Sequence, residues 1–222
     1  MGLIKTWREY SKISNLGEIA RRKFFNNCFD GALTCAGIIS GMLILFLANP
    51  DLLVPRNIVI TGFATAFAIG ISGLWGAFLS EEAERKKKIR DLRKDMVILD
   101  HGDTAQLQDT KTLEVKKKEK KKEKKNKGSI IEKSEKFATI VASLVDGGAP
   151  VLGASLPLIP FFFGEELTLA HFFISYVILI GLLVYLGIFL GKISGGGRLR
   201  YALHLVAAGV VTLIISLLLG QF

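Results

Sequence analysis

The sequence predicts an all-α polytopic membrane protein with five transmembrane helices. Helices one and two and helices three and four form a parallel internal repeat, and a cytoplasmic insertion, part helical and part disordered, follows helix two. Three observations predict this. Half of the 222 residues are apolar and the mean hydropathy is +0.41, which excludes an ordinary water-soluble globule. The 22 % of residues that are charged are confined to a few segments and almost absent from the rest. Five stretches reach the roughly 20 apolar residues that a helix rising about 1.5 Å per residue needs to cross a hydrocarbon core.

In chain order, residues 1–29 form a cytoplasmic N-terminal segment. It holds Trp7, Arg8, Glu9, Lys12, Glu18, Arg21, Arg22 and Lys23 within its first 23 residues, so no apolar signal-peptide core is present. Residues 5–25, with Trp7, Ile13, Leu16, Ile19, Phe24 and Phe25, read as a basic interfacial helix leading into the first span. Residues 30–80 carry spans one (31–49) and two (57–80), separated by Asn49-Pro50-Asp51 and Pro55. Residues 81–136 are the charged insertion. Residues 137–222 carry span three (137–163), ended by Gly164-Glu165-Glu166, span four (167–191), ended by Gly195-Gly196-Gly197, and span five (201–222).

Lys and Arg are retained on the cytoplasmic side of short loops. Six precede the first span, nineteen lie in 81–136 and three in 192–200; only Arg56 falls on the other side. A multi-pass protein of the cell membrane is expected, with the N-terminus and residues 81–136 cytoplasmic and the C-terminus outside. The short chain without a targeting extension suits a prokaryotic cytoplasmic membrane. The insertion holds 19 basic and 13 acidic residues, a net +6 of the chain's +9. Its first part continues helix two, with Glu81/Arg85, Glu82/Lys86 and Glu84/Lys88 at i,i+4. Residues 116–127 form a Lys-rich run, read as a solvated flexible linker near anionic lipid headgroups; without interleaved aromatics it is not read as a nucleic-acid site.

The repeat shows in paired motifs. Asp30-Gly31 is followed by Gly37, and Asp146-Gly147 by Gly153, each glycine seven positions after its Asp. Gly76-Ala77-Phe78-Leu79 in span two matches Gly187-Ile188-Phe189-Leu190 in span four. Each half then carries one carboxylate. Asp146 lies inside an apolar span, where an ionised Asp costs about 2.5–3.5 kcal/mol on insertion scales; Asp30 sits at the mouth of the first span. Neither has a Lys or Arg in its own span as counter-ion. Two carboxylates and one divalent cation sum to zero charge, as do two carboxylates and two protons, so such a site can exchange a metal ion for protons.

Asp146, Pro150, Gly153, Pro157 and Pro160 share one face of helix three, and Asp30, Thr34, Gly37 and Gly41 form the corresponding stripe of helix one. Proline leaves a carbonyl of the preceding turn without its helical partner, and at membrane depth such a group must face protein or a wet cavity. One reading is a cavity with the hard-oxygen lining that suits a hydrated divalent cation. The other is tight helix packing, including the small-xxx-small pairs Gly37/Gly41 and Gly187/Gly191. His171 and His204 read as interfacial. Cys28 and Cys35 fit neither a disulfide scaffold nor a zinc site, and no nucleophilic or phosphate-binding motif is present, so an enzyme is not expected.

Asp30-Gly31, Gly76-Ala77-Phe78-Leu79 running into a charged helix, Leu156-Pro157-Leu158-Ile159-Pro160 and Gly197-Arg198-Leu199-Arg200 together resemble the vacuolar iron transporter family over roughly 24–90 and 132–222. The resemblance implies a five-helix homodimer that moves Fe²⁺, and often Mn²⁺, out of the cytosol in exchange for protons. The metal is then a transported substrate, with no permanently bound cofactor. It implies Asp30 as the pore carboxylate of helix one; Asp146 is expected as a metal ligand from the repeat and its place inside an apolar span. The family's Glu and Met on helix two are missing here: residues 57–80 contain neither, and Thr65 and Gly73 take the matching positions. The insertion is Lys-rich where the family's is Glu-rich, though Glu81/Glu84 and Glu132/Glu135 form two ExxE pairs that supply either metal ligands or membrane-proximal ion pairs. The expected pore lining is Thr34, Gly37, Gly41, Thr65, Ser72, Pro150, Gly153, Pro157 and Pro160. The alternatives are a membrane scaffold or regulator that keeps the fold, and a transporter of another solute.

Overall fold

The structure, a computed structural model, describes residues 3–102 and 112–220, and the side chains of 7–91, 130 and 132–220. Among the described residues it is all-helical: α1 (Leu3–Ile13), α2 (Leu16–Ala48), α3 (Pro55–Gly102), α4 (Thr112–Leu158), α5 (Leu169–Ser194) and α6 (Arg198–Leu219), with 3₁₀ turns at Pro50–Leu52 and Ile159–Phe162. Five helices are long and apolar enough to cross a membrane. They match the five expected spans to within a few residues at most ends, but α2, α3 and α4 run well beyond them on the charged side. Hydropathy marks where a helix meets lipid and is silent about how far it continues into water. The run 116–127, expected as a flexible linker, belongs to α4; Lys and Glu are strong helix formers by intrinsic propensity.

The chain divides into two compact units. The first comprises Met1–Ala20 and Gly76–Ser143. Here the N-terminal segment is not one helix continuous with the first span. Asn15, at φ +50°, separates α1 from α2, Asn being among the few non-Gly residues that adopt this conformation readily. Helix α1 lies on α4: the rings of Trp7 and Tyr10 sit 5.8 and 6.2 Å from that of Phe137, and the Ser134 hydroxyl, fully buried, donates to the Tyr10 carbonyl at 2.9 Å.

The second unit comprises Arg21–Trp75 and Leu144–Phe222. Its largest core cluster joins Cys35 and Ile39 of α2, Ile58 and Ala66 of α3, Ala154 and Leu158 of α4, Phe161 of the 3₁₀ turn, and Leu167 and Phe172. A second joins Phe25, Cys28, Ala149 and Leu186; a third joins Ala32, Ala36, Leu179 and Leu183. Small residues let the backbones meet. Gly31 lies against the Pro150 backbone and Gly153 against the Cys28 carbonyl where α2 crosses α4; Gly70 and Gly147 face each other where α3 crosses it. The expected Gly187/Gly191 contact is present, against Ala202 and Arg198 of α6. Gly37 and Gly41 differ: a Cβ on Gly37 would reach Thr212 at an ordinary 3.9 Å, and one on Gly41 would meet nothing within 4 Å. Large apolar side chains such as Ile71, Trp75, Phe173, Tyr185 and Leu203 are exposed, the pattern of a surface matched to lipid.

Candidate functional site

Asp146 stands on α4 just where helices α2 and α3 also approach. Pro150, four residues on, has no N–H to give the Asp146 carbonyl, and that carbonyl points toward Gly73 of α3, where a Cβ would sit 3.0 Å away. The carboxylate is engaged on both oxygens: Lys23 donates to Oδ2 at 2.6 Å and Asn27 to Oδ1 at 2.6 Å, and the Asn27 amide also donates to the Lys23 carbonyl at 2.9 Å. The Lys23 and Asp146 side chains are only 20 % and 13 % exposed, so the pair is shielded without being sealed from water.

This corrects the expectation that Asp146 lacks a counter-ion. The expectation weighed only the helix that bears the Asp. The counter-ion comes from α2, which begins at Leu16, so Lys23 and Asn27 stand on the same helix as Asp30, two turns and one turn before it. Their sequence signal was available: 23, 27, 30, 34, 37 and 41 follow the helical i, i+3/i+4 rhythm. A span boundary drawn at residue 31 hid it.

Asp30 itself is exposed, and Thr34, Gly37 and Gly41 are partly buried. Pro150, Gly153, Pro157 and Pro160 are buried, so in this conformation the stripe of α4 forms a helix seam. The Ser175 hydroxyl caps the Pro157 carbonyl from α5 at 2.5 Å. Thr65 donates to the Thr61 carbonyl at 2.8 Å, and Ser72 is exposed. A cavity of about 440 Å³ among α2, α4 and α5 is lined by groups such as Phe24, Leu152, Leu156 and Leu182, an apolar wall that offers nothing to a hydrated cation.

The ExxE glutamates of α4 make ion pairs. Glu132 meets Lys136 at 3.2 Å, and Glu135 meets Lys88 at 3.0 Å, so Lys88 reaches α4 in place of the expected pairing with Glu84. Glu82 and Lys86 pair at 2.8 Å as their spacing implies, while Glu84 is exposed and Glu81 half-buried. Among the described residues no three His, Cys, Asp or Glu side chains gather as a metal site. The histidines serve the backbone: His171 accepts from the Thr168 N–H at Nδ1 and meets the Phe163 carbonyl through Nε2, while His204 Nδ1 meets the Arg200 carbonyl.

Comparison with known proteins agrees with this architecture. The sequence pattern of the VIT family matches residues 22–221. The chain is also similar to an uncharacterized protein of Methanocaldococcus jannaschii, 27 % identical over 205 residues that cover 92 % of this chain and 91 % of the relative.

Proposed function

The chain belongs to the vacuolar iron transporter (VIT) family, a family of membrane metal-ion transporters, and from that premise we propose that it exports a divalent cation, Fe²⁺ or Mn²⁺, from the cytosol in exchange for protons. The observation that carries this reading is the extent of the match: residues 22–221 take in Asp30, Asp146 and every helix of the second unit. Asp146 contributes a carboxylate beside a carbonyl that Pro150 cannot satisfy, the oxygen donors a hard cation prefers. Asp30 contributes the second carboxylate. One divalent ion or two protons neutralise the two, and alternation between these occupancies couples export to proton entry. The exposed position of Asp30 on α2 supports a homodimer in which a second copy packs near it.

Flux into proteoliposomes tests the proposal. The wild-type chain is expected to accumulate Mn²⁺ or Fe²⁺ when an opposing proton gradient is imposed, and Asp30→Asn and Asp146→Asn to abolish accumulation while remaining folded. Undiminished flux in both folded variants would refute the mechanism.

A second reading is a membrane scaffold that retains the fold. It is favoured by the lack of Glu and Met in residues 57–80 and by the engagement of Glu132 and Glu135 in ion pairs. It predicts no thermal stabilisation by Mn²⁺ or Fe²⁺ at any concentration, whereas a ligand of the native state raises the melting temperature with the logarithm of its concentration above Kd.

A further inference from the structure

Lys23 places an ammonium against the carboxylate on which the transport reading depends. As an ornament of stability the pair is a poor investment of two charges: a shielded ion pair returns little net stability over apolar packing, because desolvation offsets the attraction. Its placement suits another role. The ammonium lies 2.6 Å from Oδ2, while the second oxygen is held by the short, neutral Asn27. Asn27 can orient the carboxylate without changing its charge. Lys23, on a four-carbon stem and still 20 % exposed, has a way out toward water.

Charge counting makes the consequence definite. Lys23 and Asp146 together are neutral. A divalent cation added beside both brings two more positive charges into a shielded place between helices, where uncompensated charge is strongly disfavoured. Withdrawal of the ammonium removes one positive charge, and a second carboxylate offsets another. The ammonium and the incoming ion therefore compete for one carboxylate.

Resting on the transport reading above, we propose that Lys23 is a tethered competitor cation: it occupies Asp146 until a divalent ion displaces it, and returns to expel that ion on release. It lowers affinity so that bound metal can leave, and it rejects monovalent cations, which carry no more charge than the ammonium and lack its tether. Asn27 is the positioning residue that keeps the carboxylate facing the exchange.

The test is Mn²⁺ binding to the purified full chain in detergent, read from the spin-resonance signal of the free ion. Lys23→Gln is expected to bind Mn²⁺ at least about tenfold more tightly than wild type, the scale of a close charge pair removed. Lys23→Arg, which keeps the charge, is expected to restore the weaker binding, and Lys23→Gln/Asp146→Asn to abolish the gain. A merely structural role for Lys23 would lower the melting temperature of Lys23→Gln without tightening binding, and that result overturns the proposal. In the unaltered chain, saturating Mn²⁺ is expected to increase acylation of Lys23 by an amine-reactive ester, quantified by peptide mass spectrometry; unchanged acylation at saturation also overturns it. If every form, Lys23→Gln included, fails to bind Mn²⁺ and Fe²⁺, the transport reading itself is refuted and this proposal falls with it. Tight wild-type binding left unchanged by Lys23→Gln refutes this proposal alone.

Discussion

Gly153 and Gly41 carry the same residue on opposite kinds of surface. At Gly153 an added Cβ would collide with the Cys28 carbonyl, a backbone atom with no rotamer to yield; at Gly41 it would meet nothing within 4 Å. Gly153→Ala is therefore expected to destabilise the chain by about 1–3 kcal/mol, the usual cost of overpacking a close contact. Gly41→Ala is expected to be neutral or mildly stabilising, since Ala is the better helix former by up to about 1 kcal/mol. Thermal unfolding of both variants in the same detergent measures the difference, and equal melting temperatures would disprove the α2·α4 crossing. The stripe from Asp146 to Pro160 was legible in the sequence, because period and residue type suffice to place small residues and prolines on one face. What that face meets was not legible. Packing partners depend on tertiary proximity, which also explains how Lys23 and Asn27 escaped notice: their tie to Asp146 spans 123 and 119 residues of chain.

The elements show a similar division. Existence and order of the five spanning helices follow from apolar length alone, whereas their charged extensions do not, because a helix in water needs propensity and ion pairs in place of hydropathy. Helix α1 illustrates the limit. Its basic, aromatic composition suits a membrane surface, yet Trp7 and Tyr10 rest on Phe137 and the Tyr10 carbonyl accepts from Ser134. Aromatic contacts of this kind contribute about 0.5–1.5 kcal/mol beyond burial, enough to bias a short helix toward its partner. In a Trp75→Phe background, where Trp7 is the remaining tryptophan, Phe137→Ala is expected to shift the Trp7 emission to the red and to raise its quenching by iodide. Emission unaltered by the substitution would mean that α1 is held elsewhere.

At the scale of the whole molecule, the sorting of charge along the chain becomes a claim about orientation. Twenty-eight of the 29 Lys and Arg residues fall before the first span, between the second and third, or between the fourth and fifth, and by the positive-inside rule those segments are expected in the cytoplasm. The turn holding Gly164, Glu165 and Glu166 has Glu165 and Glu166 as its charged residues, and is expected on the opposite side. The chain is well suited to a direct test, because its own cysteines are shielded: Cys28 is 3 % and Cys35 is 1 % exposed. A membrane-impermeant maleimide should leave both unlabelled, so an introduced thiol reports without removing either. Glu165→Cys is expected to label in intact cells, and Gly196→Cys, in the glycine turn that ends α5, to label only after the membrane is opened. Both positions are exposed. The reverse pattern would place residues 81–136 outside and turn the proposed export into import, since the same site would then draw its ion from the other compartment. Labelling of both positions in intact cells would break the five-span topology itself, because residues 165 and 196 bracket a single span, α5 (Leu169–Ser194).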